Sequence, residues 1–234
     1  MSFFVVALIL SGLFNSEVTM EENNLEKTVH RREQLKKYFS FTTYRITLLS
    51  VMIALNIVMA VFSKFVMGLI PIFDFLVVEV TFFVYLIVAF SINTFYSAIM
   101  IVICTGIRLP ILDDEGVGLI AMTLSDEFQL IFIMIFVFLF MKIIKIDDFQ
   151  KKVFVVYIIS ILLAILLNSA LNDAGNYGLT LPLYKKMYGL DLSSVMSEYL
   201  AVVFGFNILK YSINCIIFLM LLKILIHITN RHKG

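Results

Sequence analysis

The stretch FGFNILKYSINCIIFLMLLKIL, residues 204–225, is 22 residues long and holds one charge, Lys210, ahead of Lys223. A helix needs about 20 mostly apolar residues to cross the hydrocarbon of a bilayer, so this stretch reads as a membrane span. Asn207, Lys210 and Asn214 interrupt it at spacings of three and four, which puts all three on one helical face. A lysine inside a span costs about 2.5–3.5 kcal/mol at the helix centre on insertion scales, unless a partner or a cavity receives it. Two readings follow. Either the face is the wall of a ligand cavity, or Lys210 is paired with an acid such as Glu79 or Asp126 while the asparagines tie helices together.

The rest of the chain fits a membrane setting. Of 234 residues 61% are hydrophobic, and the mean hydropathy is +1.00, well above a soluble domain. A net charge of +1 argues against nucleic acid and against any partner chosen by bulk charge. Cys104 and Cys215 lie in apolar runs without CxxC or Cys/His spacing and read as small buried hydrophobes. Trp is absent, so an aromatic belt has to be built from Tyr.

A spanning-length window gives six helices, near 44–66, 71–92, 95–112, 118–142, 152–173 and 199–227. The expected fold is therefore an all-α integral membrane protein, a six-transmembrane-helix bundle. Residues 1–43 form an N-terminal cytoplasmic or interfacial segment, and 44–229 form the membrane domain. MSFFVVALILSGLF at the start is apolar for only 14 residues and lacks the basic lead of a secretory signal. It is expected to be an interfacial segment or the product of a misassigned start, with Met20 the true beginning. One long connection, Asn172 to Glu198, is punctuated by Gly175, Gly178, Pro182 and Gly189 and reads as a loop with a short helix.

Basic residues orient the bundle. Lys27, Arg31, Arg32, Lys36, Lys37 and Arg45 precede the first span, Lys142, Lys145, Lys151 and Lys152 surround the fourth-to-fifth connection, and Lys223, Arg231 and Lys233 close the chain. With six spans these fall on one side, while Asp113, Asp114, Glu115, Asp173, Asp191 and Glu198 fall on the other. The positive-inside rule then puts both termini in the cytoplasm and the long connection outside. A second polar line, Asn168, Asn172 and Asn176, runs toward that connection at spacings of four. Asn168 suits interhelical bonding; Asn176, at the mouth, suits a ligand. Amides both donate and accept, which fits a flat heterocycle with carbonyls and ring nitrogens. Tyr177, Tyr184 and Tyr188 could cover such a ring or anchor the interface.

LNDAGNYGLTLPLYKKMYGL (171–190) and AVVFGFNILKYSINCIIFLMLLKIL (201–225) resemble the substrate-binding S components of energy-coupling factor vitamin transporters. The riboflavin branch is most similar: NYGLTLPLY stands for its NYFxLLPLY and GFNILKY for its PFNxxKG. RITLLSVMIALNIVMAVFSKF (45–65) resembles the family's first helix, with Ser50 and Ala54 at small-xxx-small spacing. The resemblance implies a multi-pass protein of a bacterial plasma membrane that binds riboflavin at an outward-facing site. Asn176, Asn207 and Lys210 would contact the vitamin, with Asn172, Tyr177 and Glu79 beside them. It further implies a membrane coupling subunit, docked through Ser50 and Ala54, and two cytoplasmic ATPases as partners. No cofactor is implied; riboflavin is cargo. INTFYSA stands where the family has FGPxxG, so folate, pantothenate or a pyridoxine form stays open as the vitamin.

The chain has no GxxxxGK[ST] phosphate loop, no HExxH or GxSxG motif, and no paired carboxylates suited to catalysis in a span. His30, His227 and His232 all fall near expected cytoplasmic ends. The sequence is thus expected to be no enzyme, and a membrane scaffold is the reading left beside transport.

Overall fold

The computed structural model describes residues 32, 33, 35, 36, 38–66, 78–112, 116–189 and 196–231. The start at residues 1–31, the acids at 113–115, Asp191, and the side chains of Tyr184, Tyr188 and Glu198 lie outside what is described. The described residues form helices and no strands: α1 (Thr43–Phe65), α2 (Phe82–Ser91), α3 (Thr94–Leu112), α4 (Gly116–Ile143), α5 (Phe149–Gly175), a π-helical segment (Asn176–Thr180), α6 (Leu181–Tyr188) and α7 (Met196–Arg231). Among the described residues four stretches are long and apolar enough to cross a membrane: α1, α4, α5 with its continuation, and α7. The protein is membrane-embedded, and its described residues are helical with no strand.

The burial pattern of α1 shows why lipid suits it. Its buried residues are Asn56, Ala60 and Ser63, whereas Val51, Val58, Phe62 and Phe65 are exposed. Grease faces outward and small or polar groups face the bundle, the arrangement expected where surrounding lipid is as apolar as leucine. Thr42 caps the helix by accepting from the Arg45 N–H, and the Arg45 guanidinium donates to the Tyr38 and Ser40 carbonyls at 2.9 and 2.8 Å. Ser50 and Ala54 lie on the exposed side of α1.

The second expected span, 71–92, is corrected by α2. Its helix covers only Phe82–Ser91, ten residues with eight of them buried, or about 15 Å at 1.5 Å per residue. Residues 78–81 are non-helical, and 71–77 lie outside the described residues. Hydropathy failed here because an apolar run looks the same whether or not its backbone is helical. Non-helical backbone at membrane depth must find hydrogen bonds within the protein, and here side chains supply them. Asn56 Nδ2 donates to the Thr81 carbonyl at 3.3 Å, and the Val80 N–H donates to Ser63 Oγ at 2.9 Å. Asn214 does most: its Oδ1 accepts from the Phe83 N–H at 3.1 Å, and its Nδ2 donates to the carbonyls of Glu79 (2.7 Å) and Lys210 (2.8 Å).

The expected loop after the fifth span is also largely helical. α5 passes into the π-helical Asn176–Thr180 and then α6; residues 190–195 lie outside the described residues. Gly175 and Gly178 do not break the helix, and Pro182 sits at the start of α6, directly after the wide π-helical turn. The helix ends where sequence signals are strongest, at Gly189, whose φ of +70° lets its N–H reach the Lys185 carbonyl.

Beneath these polar ties runs an aromatic core. Phe82 meets Tyr211 edge to face at 5.1 Å between centroids, and Tyr157 meets Phe218 at 5.5 Å. Replacing Asn214 with leucine should leave the Phe83 N–H and the Glu79 carbonyl without partners, at about 1–3 kcal/mol for each buried group. A clear fall in the melting temperature of the purified protein is expected; an unchanged melt would show that the broken segment does not depend on Asn214.

Candidate functional site

One end of the bundle encloses a cavity of ≈ 780 Å³. Its walls are the first turns of α4, the end of α5 with the π-helical segment, and the first half of α7, closed by Lys64, Glu79 and Arg108. The basic residues at the start of α1, between α4 and α5, and at the end of α7 belong to the opposite end. The cavity gathers five of the six residues expected to meet a ligand: Glu79, Asn172, Asn176, Asn207 and Lys210. Tyr177 is not in the wall; one residue on from Asn176, it is 63% exposed.

Two ion pairs stand at this wall. Lys210 Nζ lies 3.2 Å from Asp126 Oδ1, which also accepts from the Tyr211 hydroxyl at 2.8 Å. The two readings of Lys210 therefore coexist: it lines the cavity and is paired at its back. Glu79 is held by Arg108 through both carboxylate oxygens, Nη1 to Oε2 at 2.9 Å and Nη2 to Oε1. Such a two-pronged guanidinium–carboxylate contact fixes geometry as well as charge. Arg108 is a residue that sequence reasoning missed. It sits in the apolar run ICTGIRLPIL, and no spacing links it to Glu79.

The amides divide their work. Asn168 Nδ2 donates to the Ser125 carbonyl at 3.2 Å and Asn172 Nδ2 to Ser125 Oγ at 2.6 Å, so both tie α5 to α4. The Ser125 and Tyr211 hydroxyls bond each other, carrying the network to α7. Asn176 Nδ2 turns back to the Asn172 carbonyl at 2.9 Å, leaving its Oδ1 without a donor among the described residues. Asn207 has no hydrogen-bond partner among the described residues although it is only 8% exposed. A nearly buried amide with unused donors and acceptors in a cavity wall is equipped to read a polar ligand.

One turn deeper on the inner face of α4, both amide atoms of Gln129 are buried without partners among the described residues, as are Asp126 Oδ2 and Asn168 Oδ1. Gln129 is a second residue the sequence reading passed over, although its spacing of three from Asp126 was visible. No group of three or more His, Cys, Asp or Glu is placed to hold a metal among the described residues.

The fold and site define a helical membrane protein with a largely apolar cavity at one end that carries a few polar groups. No family model, curated protein or solved structure matches the chain.

Removing one member of a buried pair strands the other. Lys210→Met should destabilise the protein by about 3–5 kcal/mol, and adding Asp126→Leu should recover much of that loss. Thermal unfolding of the single and double variants is the measurement. A double variant no more stable than Lys210→Met would show that the stranded carboxylate is not the source of the damage.

Proposed function

We propose that this protein is the substrate-capture subunit of an energy-coupling factor importer, an S component, with riboflavin as its cargo. The observation that carries the reading is the meeting of Asn172, Asn176, Asn207 and Lys210 in one cavity wall. Asn176, Asn207 and Lys210 are the positions to which the family resemblance assigns vitamin contacts. They come from two helical stretches separated in sequence. Asn207 offers both donor and acceptor to a ring edge, Asn176 offers its free carbonyl oxygen, and Lys210 adds a charged donor whose partner lies behind it. Glu79, locked by Arg108, shapes the wall rather than reaching for the ligand.

In this reading α2 and the residues before it complete a six-span topology, and the basic end of the bundle faces the cytoplasm of a bacterial cell, so the cavity opens outward. The chain does no chemistry. It passes the vitamin inward when a membrane coupling subunit and two ATPases act on it. The docking surface is α1, where Ser50 and Ala54 are exposed one turn apart and let a second helix approach closely.

Titration of the purified protein with riboflavin tests the assignment, along with its visible absorbance as isolated. Asn207→Leu should weaken binding tenfold or more, about 1.4 kcal/mol, in line with a lost hydrogen bond in a dry site. Absence of riboflavin binding in the parent protein would sink the vitamin assignment; tight binding of folate, pantothenate or pyridoxine instead would keep the class and change the cargo.

For docking, Ala54→Leu should leave riboflavin affinity unchanged while reducing co-purification with the coupling subunit severalfold. Unchanged assembly would remove α1 as the docking face, and lost affinity would place Ala54 inside the working bundle.

A further inference from the structure

α4 carries two adjacent acids with opposite situations. Asp126 points into the bundle and meets Lys210 and Tyr211. Glu127, turned about 100° from it around the helix, is half-buried and makes no hydrogen bond or ion pair with any described residue. Of its neighbours one turn away, Leu124, at the cavity's edge, and Ile131 are exposed, while Leu130 is buried. Ile135 extends the apolar outer surface away from the cavity, which Ile120 lines. Glu127 is not part of the cavity wall.

Depth makes this arrangement notable. Glu127 is the twelfth residue of a 28-residue helix, about 16 Å along the axis from its first residue. Ionisable side chains inside a membrane pair within the bundle or in an aqueous cavity; Glu127 makes no such pair among the described residues.

We infer that the outer face of α4 around Glu127 is an interface for a transmembrane helix of another protein that presents an arginine or lysine to this carboxylate. Charge complementarity selects this occupant. Lipid tails offer no donor. A second copy meeting the same face would set carboxylate against carboxylate within isoleucine, leucine and phenylalanine. A cationic side chain on a partner helix satisfies the carboxylate and lets the flanking apolar side chains pack. The surface is separate from the proposed docking face on α1 and does not depend on the identity of the cargo.

The test is photo-crosslinking of the full chain in native membranes, with p-benzoylphenylalanine at Ile131 and, as lipid-facing controls, at Leu162 and Leu166 of α5. The expected result is one discrete adduct from position 131 to a different protein, with the crosslinked peptide in a transmembrane helix that contains Arg or Lys. Its yield should fall at least tenfold in Glu127→Leu and less in Glu127→Gln, which keeps hydrogen-bonding capacity. The isolated Glu127→Leu protein should melt no lower than the parent. Adducts to lipid alone, to a second copy of this chain, or in yields indifferent to residue 127 would overturn the proposal. A less stable Leu variant would do the same, by giving Glu127 a role inside its own chain.

Discussion

The bundle depends on how four non-helical residues inside a membrane find their hydrogen bonds. Residues 78–81 precede a half-length helix that is almost wholly buried, and water is not there to solvate a broken backbone. Asn56 and Ser63 of α1 and Asn214 of α7 take over that role. The contact joins α1, α2 and α7 at one point. It also aims Glu79 at Arg108 and, through the Lys210 carbonyl, ties the same point to the cavity lysine.

Charge in the cavity wall is organised the same way. Each wall cation whose partner is defined is held from behind by an acid, Lys210 by Asp126 and Arg108 by Glu79. The polar surface therefore comes largely pre-arranged, with Asn207 and the Asn176 Oδ1 left open among the described residues. A ligand entering such a site displaces few internal bonds, and orientation rather than net attraction is what the wall supplies.

The long spans were legible because twenty apolar residues in a row have few other uses. α1, α4, α5 and α7 follow from that alone. α2 was not legible, since FFVYLIVAFS is equally apolar as half a helix or as part of a whole one, and only the side chains facing its start decide between them. The line Asn207–Lys210–Asn214 was correctly placed on one face, but spacing could not divide its labour. Asn207 fronts the cavity, Lys210 does so with an acid behind it, and Asn214 binds backbone. Gly175, Gly178 and Pro182 read as breakers because their usual meaning is a turn; a glycine or a proline tolerated within a continuous helix leaves the same signature. The Glu79–Arg108 pair joins residues 29 apart, with no periodicity to announce it.

The π-helical segment loosens the cavity's dependence on chain length. Its ladder closes one residue later than an α-helical one, so Asn176–Thr180 accommodates an extra residue in what is otherwise a continuous helix. Deleting one of these five residues would let the ladder close at α-helical spacing and leave the helix beyond it facing as before, whereas the same deletion in the regular turns of α5 would turn everything beyond it by about 100°. In that second case Leu179, Thr180 and Leu183 would rotate off the cavity wall that they now form. The wide turn is therefore a place where a codon can be lost without re-indexing the wall. Single-residue deletions should be better tolerated in this stretch than in the α-helical turns before it.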